Sequence, residues 1–150
     1  MRVSIFTFLL FLFYSLNSFS QKWIQAGADI DGEAAGDESG YSVSSSSDGT
    51  IMAIGAHKND GGGLNFGHVR VYQYANNTWT QLGADIDGES GSDYSGWSVS
   101  LSSDGTIVAI GARNNGSHSG HVRVHKWNGS AWTQLGADID GEASDDRSGT

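Results

Sequence analysis

One acidic phrase, spelled three times, constrains this chain more than any other feature. "WIQAGADIDGE" begins at Trp23, and "WTQLGADIDGE" begins at Trp79 and again at Trp132. The residues between the copies repeat as well. "SGYSVSSSSDGTIMAIGA" (39–56) matches "SGWSVSLSSDGTIVAIGA" (95–112) at an offset of 56, and "GHVRVYQY" (67–74) matches "GHVRVHKW" (120–127) at an offset of 53. The three missing residues fall where "HKNDGGGLNF" becomes "RNNGSHS". Length variation confined to one place marks that place as a surface loop. Repetition on this scale means one supersecondary unit per repeat, each burying its apolar face on a neighbour.

Each unit reads as four short strands. "YSVSSSS" and "WSVSLSS" alternate apolar residues with serines, a period of two. Asp48-Gly49 and Asp104-Gly105 then supply a tight hairpin turn. "TIMAIGA" and "TIVAIGA" are apolar on both faces, as a buried central strand requires. "HVRVYQY" and "HVRVHKW" form a third strand, and Asn76-Asn77 and Asn128-Gly129 turn the chain again, since Asn and Gly tolerate positive φ. "TWTQLGADI" and "AWTQLGADI" form the fourth. The expected fold is all-β: four-stranded antiparallel blades of a β-propeller, with two full repeats and the start of a third. A β-solenoid or a string of sandwich modules is the alternative, although solenoid coils are shorter and sandwiches need more strands.

Residues 1–20 read as a secretory signal peptide. Arg2 is followed by the run "IFTFLLFLFYSL" from Ile5 to Leu16, with small Ser18 and Ser20 before a cleavage site at Gln21. That run is shorter than the roughly 20 residues a membrane-spanning helix needs. The expectation is a secreted or surface-displayed protein with no membrane insertion after cleavage. The chain has no cysteine and no proline, so its stability comes from packing and not from disulfides. A net charge of −9 argues against nucleic acid and anionic membranes as partners. The organisation is then 1–20 signal peptide, 21–39 N-terminal strand and acidic connection, 40–95 first repeat, 96–148 second repeat with its connection, and 149–150 the opening of a third.

The motifs "GYSV…DGTIMAIGA" and "GWSV…DGTIVAIGA", each followed by "GHVRVY" or "GHVRVH", resemble FG-GAP repeats. Those repeats are the blades of integrin α-subunit head propellers and of many secreted bacterial proteins. Gly40-Tyr41 and Gly96-Trp97 stand in place of the family's Phe-Gly, and His57 and Arg113 stand where it often has proline. The resemblance implies a propeller of extracellular binding type. It also implies a calcium loop between the first two strands, yet "SSSSDGT" and "LSSDGT" offer one carboxylate each, Asp48 or Asp104. Calcium takes six to eight oxygens, so that site does not carry over.

Strand direction places the acidic connections and the variable loops on one face and both tight turns on the other. Fourteen of the 17 acidic residues lie in the connections, all but Asp48, Asp60 and Asp104. Two readings stand side by side. Asp-x-Asp-Gly-Glu brings oxygen ligands around a flexible glycine, a pattern suited to Ca2+. Its candidate ligands are Asp29, Asp31 and Glu33, then Asp85, Asp87 and Glu89, then Asp138, Asp140 and Glu142. The other reading is a solubilising turn whose Asp side chains cap local amides. His118, His121 and His125 have a zinc-like spacing, but the first unit repeats only His68, which favours a polar residue at a strand start. Arg70 and Arg123 suggest an ion pair inside each blade with a repeated Asp, and Trp79 and Trp132 suggest cover between blades.

No catalytic constellation emerges: "GYSVS" and "GWSVS" lack the second glycine of a nucleophile elbow. The expected function is a non-catalytic propeller module, the N-terminal part of a longer protein, that binds a protein or glycan through its acidic and variable loops. Two alternatives remain, the accessory propeller of a larger extracellular enzyme such as a polysaccharide hydrolase, and a structural spacer.

Overall fold

The computed structural model of the chain describes residues 22–150; the signal peptide read at 1–20 lies outside them. The fold is all-β, built from two antiparallel sheets of the same design. In the first, β1 (Ser42–Ser45), β2 (Ile51–Ala56) and β3 (His68–Ala75) follow one another as a meander. The free edge of β3 then pairs with both β4 (Thr78–Gln81) and β5 (Ile86–Asp87). In the second, β6 (Ser95–Leu101), β7 (Ile107–Ala112) and β8 (His121–Trp127) repeat the meander, and β9 (Trp132–Gln134) and β10 (Ile139–Asp140) share the edge of β8. The variable loop of the second unit holds a single turn, α1 (Asn115–His118), with Gly116 and Ser117 left-handed. No helix among the described residues is long and apolar enough to cross a membrane.

The fourth strand expected from "TWTQLGADI" is therefore two strands with a break. Gly83 and Gly136 sit in the breaks with φ of 83° each, and Gly27 has 75° in the first copy of the phrase. A side chain would be strained there, and a Cβ on Gly83 would also lie 2.7 Å from Trp127. The Asp-Gly hairpins differ from expectation too. They are five-residue loops, with Ser46 Nα donating to Ile51 O and Gly49 Nα to Ser46 O. Asn76 and Asn77 form a two-residue turn with both φ positive, whereas residues 128–131 form a four-residue one closed by the Asn128 side chain.

The two sheets stack face to face, and the core lies between them. Val69 and Val71 on β3, Ala53 on β2 and Ile86 on β5 meet Val108 and Ile110 on β7. The alternation of "HVRV" decides which residues do this: the valines face the following sheet, while His68, Arg70 and Tyr72 face the other way. Glycine sets the closest approach. A Cβ on Gly55 would run into the carbonyl oxygen of Gly96, and one on Gly111 into that of Gly149. Ser42 Oγ donates to Gly96 O at 2.7 Å and Ser98 Oγ to Gly149 O at 2.9 Å, so the same junction occurs twice.

Candidate functional site

The acidic phrase acts across units. Arg70, on β3, reaches out of its own sheet to the carbonyl oxygen of Asp31 at 2.9 Å, with Glu33 Oε1 3.7 Å from Nη1. Arg123, on β8, does the same with Asp87 O and Glu89 Oε1, the latter at 3.4 Å. The ion pair is thus not internal to a unit, and its acid is Glu, not Asp. Alternation along β3 puts the arginine on the face that the preceding phrase covers, opposite the core valines. The tryptophans follow the same rule. Trp79 Nε1 donates to Ala26 O and Trp132 Nε1 to Leu82 O, each at 2.8 Å. Residues 22–32 belong to no strand, yet they touch the first sheet as the broken outer strand of that sheet touches the second.

Beside each arginine stands a buried histidine at the start of the third strand. His68 is 2 % exposed and its Nδ1 lies 3.5 Å from Asp85 Oδ2 and 3.9 Å from Glu33 Oε2. His121 is 1 % exposed, with Nδ1 3.5 Å from Asp138 Oδ2 and Glu89 alongside. Each cluster therefore joins the Glu of one copy of the phrase to the first Asp of the next. The remaining candidates stay apart from these clusters. Asp29 accepts a bond from Gln25, Asp31 and Asp87 offer backbone oxygens to arginine, Asp140 pairs in β10 opposite His121, and Glu142 is exposed. His118 lies near Asp145 on the surface, and among the described residues neither it nor His125 joins a group able to hold a metal. His125 is buried beside Arg123, and desolvation followed by that charge pushes its imidazole down to about 4.

A cleft opens where the two units meet at the loop end. His57 and Lys58 follow β2, Tyr94 precedes β6 and Trp97 lies on it, and Arg113 and Asn114 follow β7; together they line about 210 Å3. Arg113 stacks on the Trp97 ring at 4.0 Å, a cation–π contact. His57 takes the corresponding place on Tyr41, with ring centroids 4.2 Å apart. Burial among Tyr41, Tyr94 and Trp97 pushes the His57 imidazole down, against the opposing pull of Glu38. Lys58 Nζ bonds Glu38 Oε1 at 2.6 Å, which lowers the carboxyl and raises the amine.

The Asp-Gly loops at the other end are self-contained. Asp48 Oδ1 accepts from Ser46 Oγ, Thr50 Nα and Thr50 Oγ1, and Asp104 Oδ1 accepts from the matching Ser102 and Thr106 groups. The hydroxyl of Ser102, then the Thr106 groups, hold Asp104 down to about 2. These carboxylates are occupied by their own turns.

Spacing along the chain favours a plain polar role at a strand start for His68 and His121. The usable signal was the period of two in "HVRV", which puts His on the arginine face, toward the acids. Trp97, His57 and Arg113 stand at motif positions, but nothing in the spacing shows that they meet in one cleft. No family model matches the chain, and no curated protein matches it.

Proposed function

We propose that the chain supplies consecutive blades of an FG-GAP-type β-propeller, secreted or displayed at the cell surface, which binds an extracellular protein or glycan without catalysing a reaction. The repeated geometry supports the propeller: two four-stranded meanders, stacked with the same glycine contact, the same arginine and the same tryptophan at successive junctions. The cleft carries the binding reading. It puts two half-buried aromatics, Tyr94 and Trp97, next to Lys58, Arg113 and Asn114, at the end of the sheets where the loops vary in length. Aromatic faces with a few convergent polar groups form a recognition surface for sugars and for peptide side chains.

The test is a binding screen of the full chain against extracellular glycans and surface proteins, followed by Trp97→Ala and Tyr94→Ala. Each substitution is expected to weaken a detected ligand at least tenfold. Asp48→Asn, at the opposite end, is expected to leave it unchanged. Equal binding by all three variants would remove the cleft reading and put the ligand elsewhere on the chain, whereas no ligand in the screen would favour a spacer.

A further inference from the structure

We propose that Glu33, His68 and Asp85, and again Glu89, His121 and Asp138, form two equivalent sites for a first-row divalent transition cation, with Zn2+ as the probe. The proposal does not rest on the cleft or on its ligand. In each cluster one nitrogen and two carboxylate oxygens lie within 4.8 Å of one another. An ion bound at about 2.0–2.2 Å from each ligand needs ligand atoms roughly 3–3.6 Å apart, and the His–Asp separations are 3.5 Å in both clusters. Small carboxylate rotations close the remainder.

A second observation points to a ligand independently of the acids. His121 Nδ1 is buried inside the cluster and has no hydrogen-bond partner, although Asp138 Oδ2 lies 3.5 Å from it. A buried polar atom without a partner is costly, and a cation bridging imidazole and carboxylate would satisfy it. The carboxylates are also held for this role by groups behind them. Gln81 Nε2 donates to Asp85 Oδ1, leaving Oδ2 toward His68, and Gln134 Nε2 donates to Asp138 Oδ1 at 2.6 Å, leaving Oδ2 toward His121. Glu33 turns Oε1 to Arg70 and Oε2 to His68 and the Asn59 amide. Such outer partners orient metal ligands.

The donor set selects the ion. Calcium takes six to eight oxygens, whereas imidazole with carboxylates suits Zn2+ and its neighbours, water completing the shell. Two carboxylates against one guanidinium leave each cluster with a negative balance, so the arginine does not substitute for the cation. Because Glu comes from the preceding phrase and His and Asp from the sheet, the ion would fasten each sheet to the segment before it.

The experiment is calorimetric titration of the tag-free, chelator-treated full chain with ZnCl2 alone and with CaCl2 alone. The expected result is two Zn2+ per chain, one for His121→Gln, and none for the double variant His68→Gln/His121→Gln. Asp138→Asn is expected to leave one site as well, and its partly exposed side chain keeps the test open if His121→Gln does not fold. Gln134→Ala is expected to retain two sites, one of them about 10–100-fold weaker. Zn2+ is expected to raise the melting midpoint of the parent chain, since binding the folded state alone stabilises it. Absence of zinc binding, a stoichiometry indifferent to Asp85→Asn and Asp138→Asn, or calcium binding as tight as zinc would each overturn the proposal.

Discussion

The first sheet receives the segment before it, and the second sheet receives the outer strand of the first, through the same set of contacts. At both junctions a tryptophan indole reaches a carbonyl beside a left-handed glycine, and an arginine reaches the carbonyl and the Glu of the acidic phrase. The difference lies in what stands behind the receiving segment. Residues 22–32 have no strand partner, and Trp23 and Ile24 are 91 % and 81 % exposed. At the second junction β4 and β5 are anchored to β3, and Ile86 is buried in the core. Side-chain-to-backbone contacts thus suffice to seat the phrase, while the ladder behind it decides how much losing them costs.

The largest effect is expected where the two junctions differ chemically. Tyr72 and His125 occupy equivalent places, but only His125 is a base whose ordinary value, 6.5, lies near neutrality, and burial pushes its folded value down to about 4. The folded state refuses a proton that the unfolded chain accepts below pH 6.5. Stability is therefore untouched above that pH and falls as pH drops toward 4, by about 3 kcal/mol at most. His125→Tyr, copying the first unit, is expected to flatten urea-unfolding stability across that window.

Next come the glycines. Gly83→Ala puts a Cβ at positive φ against Trp127 and Trp132 and is expected to cost about 2–3 kcal/mol. Gly27→Ala has a comparable clash with Trp79 at 3.0 Å, yet its segment can move aside, so about 1 kcal/mol or less is expected in the same assay. Arg123→Met removes charged hydrogen bonds at an anchored junction and should lose about 2 kcal/mol, with Arg70→Met losing less. Smallest is the indole bond: Trp132→Phe should cost about 1 kcal/mol and Trp79→Phe a fraction of that. Equal losses at the two junctions in any of these pairs would mean that the N-terminal segment is as firmly held as a paired strand.

Much of this architecture was legible because the repeat fixes what must be equivalent. The strands built from "YSVSS", "IMAIGA" and "HVRV" follow from apolar periodicity, and the two apolar faces of β2 and β7 match their burial. The break in the outer strand was not legible from one copy: the left-handed Gly83 and Gly136 make it, and the Trp127 and Trp132 rings seated against Gly83 belong to the next unit. The Arg–Glu pairing and the His–carboxylate clusters escaped for the same reason. Each combines residues from two copies of the phrase, and reading one copy at a time cannot assemble them.

The glycine of "IGA" under the carbonyl of the next "SG" has a wider consequence. The spacing between units is gauged by main chain against main chain, so it does not depend on which side chains decorate the connecting loops. The 57–66 loop and its shorter counterpart, 113–119, confirm this latitude: both return to the same parallel bridge, Gly67 to Ser95 and Gly120 to Ser148. A scaffold with a fixed internal ruler can change its loops freely, and new recognition surfaces can arise on it without renegotiating the fold.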